Sequence, residues 1–169
     1  MKIQAYLSKI PQIDKTATLF EGAIVAGDVI IHANVNIWYN VTIRGDMASI
    51  VIGENTNIQD NAVVHVNTLT PTTIGKNVTI GHGAIIHGAT VGDHALIGMG
   101  AILLDHCVVE PYAMVAAGCL VPPGKVVPSR MLAVGNPMKI VRELKDSELS
   151  SNQGNIEAYL ELANSYEKE

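Results

Sequence analysis

The segment TIGHGAIIHGAT, residues 79–90, places two histidines among glycines and aliphatic residues. Imidazole nitrogens are common ligands of catalytic zinc, and a third histidine, His65, precedes this segment. His82 and His87 are five positions apart, which matches neither one face of an α-helix nor the alternation of a β-strand. Whether these side chains can act together therefore depends on an architecture with another period.

Aliphatic residues recur every six positions through most of the chain, and the phase shifts only after Ile43 (three residues added), after Val64 (four added) and after Ile86 (one removed). Short strands joined by tight corners, three to a coil, explain this pattern, because the aliphatic residue then points inward and a small residue four positions later fills the next inward slot. Coils of about eighteen residues would stack roughly 4.8 Å apart by parallel strand pairing. The aliphatic positions are Ile13, Leu19, Val25, Ile31, Ile37, Ile43, Ile52, Ile58, Val64, Ile74, Ile80, Ile86, Val91, Ile97, Leu103, Val109, Val115 and Val121.

The predicted fold class is all-β: a parallel β-helix of about six triangular coils with a C-terminal α-helix. A doubly wound sheet or a TIM barrel needs helices between its strands, and no helical pattern is visible before about residue 140. The repeat resembles the hexapeptide repeat of left-handed β-helices, which implies the left hand. We expect the β-helix domain over residues 1–125, and an exit segment and a helix packed on the same domain over 126–169. The helical spacing is that of Ile156, Tyr159, Leu160, Ala163 and Tyr166.

The coil register predicts which outward side chains lie above one another. Residues at equal offsets in successive coils form columns along the prism. One column, directly after the inward residue of the third face, contains Arg44, His65 and His87. A second column, two places after the inward residue of the second face, contains Tyr39, Asp60 and His82.

These columns predict a metal site between subunits. His65 and His87 are one strand spacing apart, so their nitrogens can reach one ion at roughly 2.0 to 2.1 Å. His82 lies around a corner of the prism and is poorly placed to complete that site within its own chain. In a cyclic homotrimer, a neighbouring chain supplies His82 at each of three equivalent interfaces. Three histidines with an open fourth position are typical of catalytic zinc, although histidine ligands alone also allow iron or cobalt.

Four further polar residues are candidates for the same interface. Arg44 and Asp46, in the sequence RGD, can pair with each other or with Asp60 of a neighbour through charge-assisted hydrogen bonds. Gln59 is expected beside the metal, where a neutral amide can orient a water or a substrate oxygen. We expect the first role of the charged residues to be assembly, with a catalytic role left open.

Composition excludes several classes of partner. A formal net charge of −5, with 11 Lys and Arg and no run of like charges, predicts neither nucleic-acid nor anionic-lipid binding. The most apolar window, ALIGMGAILL, is about half the length that spans a bilayer. The N-terminus lacks the features of a signal peptide, and the two cysteines form no CxxC motif. A cytoplasmic protein without a membrane partner is the expectation.

Three motifs resemble the signature of the gamma-class carbonic anhydrase family: NIWYNVTIRGD, IGENTNIQDNAVVH and TIGHGAIIHG. The resemblance covers almost the whole chain. It implies zinc ligands at His65, His82 and His87, and an intersubunit network of Arg44, Asp46 and Asp60. It also implies a place for Gln59 near the metal-bound water. The implied activity is the reversible hydration of carbon dioxide to bicarbonate by zinc-bound hydroxide at the interfaces of a trimer.

Other functions on this scaffold stay open at the level of sequence. A hexapeptide-repeat acyltransferase with an acyl-CoA donor is the second hypothesis, because the same fold hosts many such enzymes. A thioesterase or a non-catalytic trimeric module is the third. Met47 follows Asp46, and VNTLTPTT follows His65, so neither place offers the acid that serves as a proton shuttle in the archaeal prototype of the family.

Overall fold

The computed structural model describes residues 1–166 and is a left-handed parallel β-helix with three faces. Face 1 contains β2 (Gln12–Ile13), the second half of β4 (Ile24–Ile31), the second half of β6 (Thr42–Ile52), β9 (Thr72–Ile74), β12 (Thr90–Val91), β15 (Val108–Val109) and β18 (Val126–Val127). Face 2 contains β3 (Thr18–Leu19), β5 (Asn36–Ile37), β7 (Asn57–Ile58), β10 (Thr79–Ile80), β13 (Leu96–Ile97), β16 (Met114–Val115), β19 (Met131–Val134) and β20 (Lys139–Glu143). Face 3 contains β1 (Lys2–Gln4), the first halves of β4 and β6, β8 (Val63–His65), β11 (Ile85–His87), β14 (Ile102–Leu103) and β17 (Leu120–Val121).

The core is a column of inward side chains along the axis of the prism. The predicted aliphatic positions from Val25 to Val121 are all buried, and the small slots between them are filled by residues such as Ala62, Ala84 and Ala101. Ile13 and Leu19 are half-buried because they belong to the first coil, which has no complete coil beneath it. The predicted fold class is confirmed. Parallel pairing satisfies the backbone of each coil through the next, so burial of the apolar column leaves few orphaned peptide groups.

The β-helix is longer than the sequence analysis expected. Seven parallel strands follow one another on face 2, from β3 to β19, and β20 then pairs antiparallel to β19. Val127 and Ala133 are fully buried and continue the six-residue period beyond Val121. Pro122 and Pro123 lie between the inward residues Val121 and Val127, where a tight corner accommodates them. There are thus about seven coils rather than six, and residues 126–134 continue the coils instead of forming the predicted exit segment.

The C-terminal helix α1 (Asp146–Ser165) packs on the outside of the coils, as predicted. It contacts β5 and β7 on face 2 and buries Ile156 and Ala163. Near its start, Asn152 donates a hydrogen bond from Nδ2 to the His94 carbonyl oxygen at 3.0 Å. No helix in the described part of the chain is long and apolar enough to cross a membrane.

Val126 and Val127 offer a test of the seventh coil. Val127 is fully buried, whereas the neighbouring Val126 side chain is 45% exposed. Val127→Ala removes two buried methyl groups and should lower the free energy of unfolding by about 2 kcal/mol. The matched Val126→Ala variant should lower the free energy of unfolding far less. Urea unfolding followed by circular dichroism measures both, and equal losses would contradict the inward placement of Val127.

Candidate metal centre

His65 and His87 lie side by side on face 3, in consecutive coils. β8 and β11 pair in parallel with His65 opposite His87, and Arg44 opposes His65 on its other side. Val64 and Ile86 are fully buried, so strand alternation turns the histidines that follow them outward. The ring centroids are 5.1 Å apart, and the ring planes are inclined by 58°. The structure therefore brings two imidazoles to one place on the surface of a single chain.

A carboxylate contacts one nitrogen of each ring. His65 Nε2 lies 3.1 Å from Asp46 Oδ1, and His87 Nδ1 lies 2.6 Å from Asp105 Oδ1. An ionised carboxylate only accepts hydrogen bonds, so the nitrogen that faces it carries the hydrogen. The other nitrogen of each neutral ring then has a lone pair available for a ligand bond. Carboxylate–histidine pairs of this kind are characteristic of metal sites.

Arg44 and Asp46 are ion-paired within the same chain. Gly45 lies between them where β4 and β6 approach closely, since a Cβ there would lie 2.5 Å from the Asp28 carbonyl oxygen. Burial by itself raises the pKa of Asp46, but hydrogen bonds from Arg44 and His65 outweigh it and hold that pKa below its ordinary value. Asp46 is therefore a carboxylate that links a guanidinium to an imidazole.

His82 lies in the turn between β10 and β11, away from the His65–His87 pair along the coil. Its side chain is 42% exposed, the most exposed of the three candidate ligands, and its Nδ1 lies 2.7 Å from Asp60 Oδ2. The Tyr159 hydroxyl, on α1, is 3.5 Å from His82 Nε2. Burial raises the pKa of Tyr159 above its ordinary value, and the charge of Asp60 raises it further. Asp60 thus orients His82 of its own chain. The expected contact of Arg44 or Asp46 with Asp60 of a neighbouring chain stays a prediction.

Gln59 supports the backbone of the same turn. Its Oε1 accepts a hydrogen bond from the His82 amide at 3.2 Å, and its Nε2 donates to Asn57 Oδ1 at 3.1 Å. The side chain is almost completely buried. In the structure Gln59 holds the turn that presents His82, and its expected role in orienting a water or a substrate oxygen stays a prediction.

Within residues 1–166 of a single chain, no group of three or more His, Cys, Asp or Glu side chains is arranged to hold a metal ion. The described residues contain two separate candidate half-sites instead. One half-site is the His65–His87 pair with its two carboxylates, and the other is His82 with Asp60.

Sequence reasoning missed two residues beside His87. Asp105 contacts the His87 ring, and Asn67 donates a hydrogen bond from Nδ2 to Asp105 Oδ2 at 2.8 Å. The Asn67 hydrogen bond is the main cause of the lowered pKa of Asp105; burial opposes it, and His87 adds to the lowering. In the register of β11 and β14, Ile86 lies opposite Leu103, an offset of 17 residues. Asp105 lies one residue beyond the position equivalent to His87, in a turn, so the coil register alone gave no signal for this contact.

Comparison with known proteins identifies relatives over most of the chain. Residues 71–104 match the family model described as "Bacterial transferase hexapeptide (six repeats)". A protein of Methanocaldococcus jannaschii named "Probable carbonic anhydrase" is 49% identical over 155 residues, which are 92% of this chain and 98% of that protein. "Gamma carbonic anhydrase 2, mitochondrial" of Arabidopsis thaliana is 46% identical over 161 residues, covering 92% of this chain and 58% of that protein.

A solved structure shares both fold and sequence with the chain. The crystal structure of a hexapeptide transferase family protein from Anaplasma phagocytophilum matches with a TM-score of 0.94 and 42% identity, over 98% of each chain. Identity at this level, over nearly the full length of both the archaeal relative and the chain, goes beyond a shared architecture. The chain belongs to the gamma-class carbonic anhydrase family of hexapeptide-repeat proteins.

Proposed function

We propose that this protein is a zinc-dependent carbonic anhydrase that hydrates carbon dioxide reversibly to bicarbonate and acts as a homotrimer. The observation that carries the proposal is the pair of half-sites on one chain, His65 with His87 and, around a corner of the prism, His82. Each imidazole is oriented by its own carboxylate. Such orientation is what a metal ligand needs, and a merely solvated histidine does not need it.

A cyclic trimer joins the two half-sites. In the proposed assembly, face 3 of one chain meets the corner of its neighbour that carries His82, and the same contact recurs at all three interfaces. Each site then contains His65 and His87 from one chain and His82 from the next. The exposure of His82 on the isolated chain supports this role, since a side chain that reaches a neighbour must project from its own surface.

The donor set fits zinc. Three neutral imidazoles with an open fourth position are a known catalytic zinc environment, and iron or cobalt accept the same ligands. When bound, the ion supplies an activated water as the nucleophile for carbon dioxide. The groups of this chain hold the rings in place: Asp46 orients His65, and Asp60 and the buried Gln59 orient His82 and its turn. Arg44 balances the charge of Asp46 at the edge where the chains meet.

Acyl transfer from an acyl-CoA is the second candidate function. The description of the matched family model and the name of the Anaplasma phagocytophilum protein both mention transferases. Three carboxylate-oriented histidines favour a metal centre over the single catalytic histidine expected of an acyltransferase. Formation of an acylated product from acetyl-CoA by metal-free protein would favour the transferase instead.

His82→Ala tests the hydration activity. Loss of one of three ligands should remove stoichiometric zinc and lower the stopped-flow rate of carbon dioxide hydration by about 100-fold or more. His32→Ala is the matched control, because His32 is exposed and lies outside both half-sites. Hydration by the zinc-loaded wild type no faster than by His82→Ala would reject the proposed reaction.

Mixed trimers test the sharing of ligands between chains. When His65→Ala and His82→Ala chains are unfolded together in equal amounts and reassembled, about one quarter of the interfaces should combine intact half-sites, if assembly is random. Zinc content and hydration rate should recover to that fraction. A mixture of His65→Ala with His87→Ala should recover nothing, because both ligands come from one chain. Recovery in both mixtures, or in neither, would contradict the proposed division of the three histidine ligands between two chains.

A further inference from the structure

Asp105 occupies a bridging position next to the proposed centre. It lies in the turn after β14, one coil beyond His87, and both of its carboxylate oxygens are engaged. Oδ1 accepts the His87 Nδ1–H at 2.6 Å, and Oδ2 accepts a hydrogen bond from Asn67 Nδ2 at 2.8 Å. Gly88 allows this approach, because a Cβ at that position would lie 2.5 Å from Asp105 Oδ1.

Asn67 belongs to the loop of residues 66–71, which directly follows His65. The loop is closed on itself by backbone hydrogen bonds between Asn67 and Thr70. Thr72 anchors the end of the loop, since its Oγ1 donates to the His65 carbonyl oxygen at 2.6 Å. Through Asn67, Asp105 is therefore connected to the segment that carries His65 as well as to the ring of His87.

The other two carboxylates of the half-sites lack this connection. Asp46 is shared between His65 and Arg44, and the Arg44 side chain is half exposed. Asp60 contacts the exposed His82 side chain. Asp105 alone among the three joins a ring of the His65–His87 pair to the loop that follows the other ring.

We propose that Asp105 is the positioning residue of the His65–His87 pair. It holds the Nδ1–H tautomer of His87, so that Nε2 faces the ion, and it fixes the spacing between His87 and His65 through Asn67. This inference rests on the proposed metal-binding function. Asp105 has no contact with substrate in this role, and its effect is on the affinity for the ion.

Zinc affinity measured by competition with a chromophoric chelator tests the proposal without reference to catalysis. Asp105→Ala should weaken zinc binding by about 10- to 100-fold, the usual effect of losing an orienting partner. Asp105→Asn keeps an acceptor for the imidazole N–H and should recover part of the affinity. Asn67→Ala keeps the contact between Asp105 and His87, so it should lower the zinc affinity less than Asp105→Ala does.

Asp93→Ala is the matched control. Asp93, like Asp105, lies two positions after an inward aliphatic residue. Its carboxylate accepts a hydrogen bond at 3.0 Å from the Lys76 backbone amide, whereas that of Asp105 accepts one from a histidine ring. Asp93→Ala should affect folding about as much as Asp105→Ala does, but it should leave the zinc affinity unchanged. Thermal melts of both variants separate destabilisation from loss of affinity.

A second readout uses the metal-free protein. Long-range ¹H–¹⁵N spectra should assign the Nδ1–H tautomer to His87 in the wild type and show its loss in Asp105→Ala, but not in Asp93→Ala. Zinc affinity within twofold of wild type in Asp105→Ala, or an equal loss in Asp93→Ala, would overturn the proposed positioning role alone. A wild-type protein that binds no zinc would overturn the proposed function together with this inference.

Discussion

The parallel register between successive coils is the constraint on which the rest of the structure depends. Each strand pairs with the strand one coil earlier, so equal positions in the repeat lie above one another. Branched aliphatic side chains fill the inward positions, and a shift of one residue would turn that apolar set to the solvent. The hydrophobic column therefore fixes the register, and the register in turn fixes the outward columns.

The candidate site follows from this constraint. His65 and His87 share a column because Val64 and Ile86 share one on the inside of the same strands. Asp105 reaches His87 from one coil further along, where a turn follows Leu103. His65 and His87 thus belong to strands that are paired on both sides, and their imidazole rings face outward. A scaffold of this kind presents ligands to a neighbouring chain with little rearrangement of its own backbone.

The fold class could be predicted from the sequence because its period is almost uninterrupted. The seventh coil was not predicted, because Pro122 and Pro123 interrupt the pattern after Val121, although Val127 and Ala133 continue its period. The C-terminal helix was visible from its apolar spacing, but the contact of Tyr159 with His82 was not. That contact depends on how the helix lies against face 2, and the repeat contains no information on this packing.

By itself the sequence determined which side chains point inward and which histidines share a column, because a six-residue period combined with parallel pairing leaves one register. Only the tertiary structure decided which group orients each ring. Asp46, Asp60 and Asp105 reach their histidines through a close approach of two strands and through turns whose conformations the hydrophobic pattern does not specify. Side-chain partners on the surface are set by turn geometry and rotamers, whereas burial is set by the order of apolar residues.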